Sequence, residues 1–215
     1  MRRLPFLFLL ILLAACSQAA PDASSKQSVE VRAAKDWQSV VGKQLAKEQY
    51  AFQLIVNGSG ATVTMNGEQS GQDWTMQNEG KQIQVVKKGD HIHLSRSGTQ
   101  ETATPRQLGL MSPRDHLLWM QRVGGRVERI GTVKWQGKRT IVLQKDLNER
   151  QVGKILSKWM GTPPSDFAEI IGHHFDVRYR LWYVPKTHTL EQMVAEIRSD
   201  GHLRQTIRYV FHPVR

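Results

Sequence analysis

The chain is poor in cysteine, in acidic residues and in long apolar runs. Cys16 is the only cysteine among 215 residues, so no intramolecular disulfide can form. The apolar run from Leu4 to Ala15 is too short for a comfortable membrane span, because a bilayer core needs roughly 20 apolar residues. Nineteen acids face 30 Lys and Arg, and the net charge of +11 favours anionic surfaces such as phospholipid headgroups. A solvated, soluble surface explains the same excess equally well.

Motifs of the common enzyme classes are missing too. There is no Gly-x-Ser-x-Gly, no Gly-rich phosphate loop, no CxxC pair and no carboxylate pair that differs from surface acids. His91 and His93 share a face of a predicted strand, and His173 and His174 follow a short helix, but no Cys, Asp or Glu cluster completes either set of metal ligands. We therefore expect no enzyme activity, no metal and no noncovalent cofactor.

The first fifteen residues have the features of an export signal. Arg2 and Arg3 precede the apolar run, which gives the charged start and short hydrophobic centre of a signal peptide over residues 1–15. The end of the run, Leu13-Ala14-Ala15-Cys16, resembles the lipobox of bacterial lipoproteins, where a peptidase cuts before the cysteine after a diacylglycerol is attached to its thiol. An ordinary secretory signal with an incidental cysteine is the alternative.

The lipobox resemblance implies an extracytoplasmic protein that Cys16 anchors to the cell membrane, or to an outer membrane if the cell has one. Cleavage would remove two arginines and no acid, which takes the net charge from +11 to +9. Because the protein is exported and its basic residues are scattered, we do not expect it to bind nucleic acid.

The remainder of the chain divides into a tether and one domain. Residues 16–35 show no apolar periodicity, which predicts a lipidated cysteine followed by a flexible tether outside the fold. Residues 36–215 are numerous enough for a single domain with its own core. Its entrance is a predicted helix from Asp36 to Lys47, because Trp37, Val40, Val41 and Leu45 recur at helical spacing.

Period-two alternation then predicts an antiparallel meander, starting with Tyr50 to Asn57 and a turn at Asn57-Gly58-Ser59-Gly60. Further short strands are predicted at Ala61 to Met65, Trp74 to Met76, Ile83 to Val85 and Ile92 to Leu94, separated by turn signals at Asn66-Gly67, Glu79-Gly80 and Gly89-Asp90. Later strands are predicted at Val127 to Trp135, Thr140 to Gln144, Val177 to Tyr183, Leu190 to Ile197 and Gln205 to Phe211.

Two helices interrupt these strands. Ser112 as N-cap, Pro113 at the first helical position and Asp115 three residues after the cap predict a helix that Gly124-Gly125 ends. Asp146, with Glu149 three residues on, predicts the start of the second helix. Its apolar stripe, which we expect to pack on the concave face of the sheet, consists of Val152, Ile155, Leu156, Trp159 and Met160. A short helical turn is predicted at Asp166 to Ile171.

The layout resembles the LolA-like superfamily, which includes periplasmic lipoprotein carriers, their outer-membrane receptors and the mycobacterial LppX/LprG lipoproteins. The stretch from Tyr179 to Met193 resembles the closing hairpin of that family. The resemblance implies an α+β fold in which a strongly curved antiparallel sheet of eight to ten strands, an incomplete barrel, carries two or three helices on its concave side. It also implies that acyl chains bind there.

Trp and Met residues at inward positions nominate a ligand cavity, and the candidates are Trp74, Met76, Trp119, Met120 and Trp159. Indole and thioether groups adapt to irregular apolar ligands, although the same residues also fill ordinary cores. The predicted function is therefore a membrane-anchored lipoprotein that binds lipid or the acyl chains of another lipoprotein. The alternative is a ligand-free interaction or sensor module that contacts an envelope protein.

Overall fold

The computed structural model describes residues 23–58, 60–104, 111–160 and 175–213, with side chains from Ser28 onward except for residues 155–160. Cys16, the signal peptide and the predicted turn at Asp166 to Ile171 lie outside the described residues. Within these ranges the helices are α1 (Ala23–Leu45), α2 (Pro113–Arg122) and α3 (Glu149–Met160). No described helix has both the length and the apolarity needed to cross a bilayer.

The strands are, in chain order, β1 (Gln49–Gly58), β2 (Ala61–Ser70), β3 (Asp73–Asn78), β4 (Ile83–Lys88), β5 (His91–Arg96), β6 (Thr99–Ala103), β7 (Val127–Trp135), β8 (Lys138–Leu147), β9 (Phe175–Val184), β10 (Thr189–Ser199) and β11 (His202–His212). They form one antiparallel sheet in the order β6-β5-β4-β3-β2-β1-β11-β10-β9-β8-β7. The pairing of β1 with β11 joins the two ends of the domain, for example at Phe52 opposite Phe211. Within the described ranges β6 and β7 are the edge strands and do not pair with each other, so the sheet is not closed.

This architecture confirms the predicted fold class, an open antiparallel sheet with helices packed on it. The described residues form eleven strands instead of the expected eight to ten. The additional strand is β6, which consists of the residues Thr-Gln-Glu-Thr-Ala and is largely exposed, so it carries no apolar alternation that the sequence could have revealed.

Alternation along the strands separates two faces of the sheet. On one face, which we call the inner face, Tyr50, Phe52 and Leu54 of β1 are buried, as are Trp74 and Met76 of β3. Residues between them, such as Thr75, lie on the exposed outer face. Helix α1 contacts β7, β10 and α2, while α3 contacts β9. The inner face and the helices thus share one apolar core, because an amphipathic surface is stable only when its apolar side is covered.

The tether prediction is wrong for residues 23–35, which belong to α1. Their Ala, Lys, Gln and Glu residues favour helix. Few of these side chains contact the domain, so the segment lacks the apolar stripe from which a helix could have been predicted. Ala33 is nevertheless 2% exposed, and Glu30 pairs with Arg126 at the start of β7. The fold therefore begins well before Asp36.

Two local predictions inside the domain are also wrong. Asn66-Gly67 is not a turn but lies in the middle of β2, where Gly67 pairs with Phe52 of β1. Helix α3 is capped by Asn148 rather than Asp146: Asn148 Oδ1 accepts from the backbone N–H of Gln151, and the side chain of Gln151 accepts in return from the Asn148 N–H, both at 3.0 Å. Asp146 belongs to β8.

Candidate functional site

The inner face gathers most of the side chains that the sequence nominated for a ligand cavity. Trp74 and Met76 lie on β3, and Met120 lies on α2; all three are almost completely buried and belong to one apolar cluster. Trp119 is half-buried and packs against that cluster. The side chain of Trp159 lies outside the described residues. Four of the five candidates thus belong to the apolar core of the domain or pack against it.

Helix α2 begins with a capping box. The Ser112 hydroxyl accepts a hydrogen bond from the backbone N–H of Asp115, and an Asp115 carboxylate oxygen accepts from the Ser112 N–H at 2.9 Å. Pro113 at the start adds a fixed φ to the first turn. The N-terminus of α2 is therefore well defined, which places Leu117 and Met120 on the sheet side of the helix.

His116, the next residue along α2, sits in a buried group of aromatic rings. Its Nδ1 lies 2.9 Å from the Tyr179 hydroxyl, and its ring contacts those of Trp119, Tyr179 and Tyr209. Tyr209 in turn donates from its hydroxyl to the carbonyl of Met111. Burial lowers the pKa of His116 to about 4, so the imidazole is neutral at physiological pH.

Lys145 caps the C-terminus of α2. Its ammonium donates to the carbonyl oxygens of Met120 and Val123, in the last turn and just past it, and lies 5.7 Å from the centre of the Trp37 ring. Burial lowers the pKa of Lys145. A cation on otherwise unpaired carbonyls at a helix C-terminus is favourable both as a hydrogen-bond donor and against the helix dipole.

Three polar side chains interrupt the apolar inner face in a row. Tyr50 of β1 pairs in register with Gln69 of β2, and Gln69 pairs with Trp74 of β3. The Tyr50 hydroxyl, Gln69 Oε1 and Trp74 Nε1 are buried, and none has a hydrogen-bond partner among the described residues. We call these three residues the polar row. Gln69 was not predicted as a strand residue, because Asn66-Gly67 was expected to be a turn that ends the strand.

Gly67 leaves room for the ring of Phe52. A Cβ placed on Gly67 would lie 2.5 Å from Phe52 Cζ and 2.7 Å from the backbone oxygen of Thr75. Phe52 itself packs edge-on against Tyr209. The glycine is therefore required by the close approach of a ring to the backbone, not by a turn.

A depression of about 640 Å³ opens on the outer face, opposite the apolar core. Its lining is mixed, with polar side chains such as Asn66, Glu68 and Gln84 beside Phe52 and Pro213. Of the sequence-nominated residues, only Met76 contributes to it, so we do not assign this depression to the predicted cavity.

His91 and His93, the pair considered as metal ligands in the sequence, share a face of β5 and are exposed. His93 Nδ1 lies 3.1 Å from the Thr102 hydroxyl. Within the described ranges no three His, Cys, Asp or Glu side chains lie close enough together to hold a metal ion. His173 and His174 lie outside the described residues.

The fold is similar to that of a solved mycobacterial lipoprotein. LprF from Mycobacterium bovis matches with a TM-score of 0.53 and 12% sequence identity, over 86% of this chain and 95% of that one. LppX from Mycobacterium tuberculosis matches with a TM-score of 0.49 and 11% identity, over 90% and 99% of the two chains. No family profile and no curated protein sequence matches this chain. The likeness to LprF confirms the LolA-like, LppX/LprG-like fold that the sequence predicted.

Proposed function

We propose that this protein is a membrane-anchored extracytoplasmic lipoprotein that binds a hydrophobic ligand, either a lipid or the acyl chains of another lipoprotein, against the inner face of its sheet. The observation that supports the proposal is the apolar cluster to which Trp74, Met76 and Met120 all belong, with Trp119 packed against it. Thioether and indole groups together offer a surface that adapts to an acyl chain.

The anchor in this proposal is Cys16, with a diacylglycerol attached to its thiol. Its support is the sequence alone: a charged start, a short apolar centre and Leu13-Ala14-Ala15 directly before the only cysteine. The membrane is thus one partner of the protein, and the excess of Lys and Arg over acids would favour an anionic membrane surface.

Mass spectrometry of the mature full-length protein tests anchor and ligand together. A covalent diacylglycerol stays on the protein under denaturing conditions, whereas a bound lipid is present only in the native spectrum and is lost on denaturation. We expect both masses in wild-type protein. Cys16→Ser should abolish the mass that persists, with Ser17→Ala as the matched control that keeps it. A wild-type protein with no persistent mass contradicts the anchor.

The second candidate, a ligand-free interaction or sensor module, is favoured by the tight packing of the described core, where Leu117, Leu143 and Met193 are fully buried. The two candidates differ in their response to enlarged side chains. In a ligand-binding protein, Met76→Trp and Met120→Trp should reduce the lipid seen in the native spectrum more than they reduce stability. A close-packed core would instead lose about 1–3 kcal/mol to overpacking and never show lipid, which would favour the ligand-free module.

A further inference from the structure

The outer face of strands β1 to β4 carries a row of carboxamide side chains. Gln53 of β1 pairs in register with Asn66 of β2. Asn66 pairs with Gln77 of β3, which pairs with Gln84 of β4. We call these four residues the amide row. Because adjacent strands are about 4.8 Å apart, the row extends roughly 14 Å across the strands. Three of its members, Asn66, Gln77 and Gln84, line the depression on that face.

The amides that line the depression are largely available to a ligand. Gln53 Nε2 donates to Asn66 Oδ1 at 3.3 Å, which leaves the NH₂ group of Asn66 unused. The side chains of Gln77 and Gln84 make no hydrogen bond to any described residue, and neither does the carboxylate of Glu68 beside them. Since each carboxamide offers two N–H donors and one acceptor oxygen, the row presents donors and acceptors side by side.

Cations are missing from this part of the surface. The chain has 30 Lys and Arg, yet none of them is among the described residues of the amide row or of the depression. Apart from the imidazole of His212, the carboxylate of Glu68 is the only ionisable side chain in the described lining. An anionic ligand would meet a like charge and no countercharge there. The solvated surface of a strongly basic protein, by contrast, normally carries Lys and Arg. The site therefore favours a neutral ligand.

The same residues favour a polyhydroxylated ligand over a protein. The centre of a protein interface is rich in accessible aromatic residues, Met and Arg. Phe52 and Met76, which line the depression, are each only 1% exposed and offer little apolar surface. A sugar hydroxyl both donates and accepts, so it matches the mixed donors and acceptors of carboxamides. Ala51 and Pro213 add apolar contacts for the C–H face of a sugar ring.

We propose that the amide row and the depression bind an uncharged glycan chain that lies across β1 to β4. Because the strand spacing is close to the length of one sugar unit in an extended chain, successive units would meet Asn66, Gln77 and Gln84 in turn. Exposed amides exchange hydrogen bonds with water for hydrogen bonds with hydroxyls, so each contact is weak and affinity grows with the number of units bound. The glycan binds the outer face and the hydrophobic ligand proposed above binds the inner face, so either proposal can fail alone.

Titration with neutral oligosaccharides tests the site. The probes are hexamers of β-1,4-linked glucose, of α-1,4-linked glucose and of β-1,4-linked N-acetylglucosamine, each with its dimer. The mature full-length protein is kept in a sugar-free detergent, and the NMR signals of its side-chain NH₂ groups are followed. We expect at least one hexamer to shift the signals of Asn66, Gln77 and Gln84. That hexamer should bind about tenfold more tightly than its dimer, which corresponds to one further net hydrogen bond.

Gln77→Ala and Gln84→Ala each remove one amide of the row and should weaken binding of that hexamer about three- to tenfold. Gln72→Ala is the matched control, because Gln72 is an exposed amide in the turn between β2 and β3 and is not among the described residues that line the depression. It should bind the hexamer like wild-type protein. None of the three side chains is buried, so urea unfolding of all three variants should match wild type, which separates lost binding from lost folding.

If no hexamer binds, or if Gln77→Ala and Gln84→Ala bind it like wild-type protein, the amide row is an ordinary solvated surface and the proposal is wrong. A dimer that binds as tightly as its hexamer would also overturn it, because no chain would then lie along the row. Hexagalacturonate is the acidic control: a preference for it that disappears at high salt would show attraction to scattered cations instead of recognition by the amides. The probes carry no acyl chain, so these results do not depend on hydrophobic binding at the inner face.

Discussion

Acidification should destabilise the domain through His116. Its imidazole is buried among aromatic rings with a pKa of about 4, against 6.5 for an unperturbed imidazole. Since the folded state binds the proton more weakly than the unfolded state, stability is full above pH 6.5 and falls as the pH drops towards 4. Each pKa unit corresponds to 1.36 kcal/mol, so this one residue should remove about 2 kcal/mol of unfolding free energy between pH 7 and pH 5, and about 3 kcal/mol in all.

Urea unfolding of wild-type protein and of His116→Gln at pH 7, 6 and 5 measures the effect. The glutamine can still contact the Tyr179 hydroxyl but does not titrate, so the variant should be less stable at pH 7 and lose about 2 kcal/mol less than wild type on going to pH 5. His91→Gln, on the exposed face of β5, is the matched control and should keep the wild-type dependence. An unchanged loss in His116→Gln would refute the reasoning, because the proton would then be taken up elsewhere.

Two further predictions concern packing and helix ends. Gly67→Ala should lower the free energy of unfolding in urea by roughly 1–3 kcal/mol, because the new Cβ would clash with the Phe52 ring and with the Thr75 backbone oxygen. Gly131→Ala on β7 is the control and should be nearly neutral, because nothing lies within 4 Å of its new methyl group. Equal effects of the two substitutions would mean that β2 shifts freely. Lys145→Met keeps the apolar stem but leaves two carbonyls at the end of α2 without their donor, so we expect the free energy of unfolding to fall by on the order of 1–3 kcal/mol. The control Lys134→Met, at an exposed position, should change it by less than about 0.5 kcal/mol. A neutral Lys145→Met would show that desolvating the ammonium offsets its hydrogen bonds.

Local features of the sequence determined the element types. The alternation from Tyr50 to Asn57, the closing strands and the helix start at Ser112 were all predictable, because side-chain periodicity and capping depend on residues a few positions apart. The same periodicity places Tyr179, Leu181 and Tyr183 on one face of β9, and the structure shows that this face is the buried one.

Where local signals were weak or ambiguous, the tertiary structure decided. Asn66-Gly67 has the composition of a turn, yet Gly67 lies within a strand because the Phe52 ring occupies the space of its missing side chain. Asp146 could cap a helix as well as Asn148 could, but the pairing of β8 with β9 places it beside Arg178, whose Nε donates to it at 2.7 Å.

The residues of the candidate site were likewise predictable only in part from the sequence. Composition and parity nominated Trp74, Met76 and Met120, because large apolar residues at inward positions collect in a core. The polar row depends on the register of three strands, and the buried pair of His116 and Tyr179 joins residues 63 positions apart. A single sequence determines which side chains can be buried, whereas only the folded chain determines which buried polar atoms find partners and which, like the Tyr50 hydroxyl, do not.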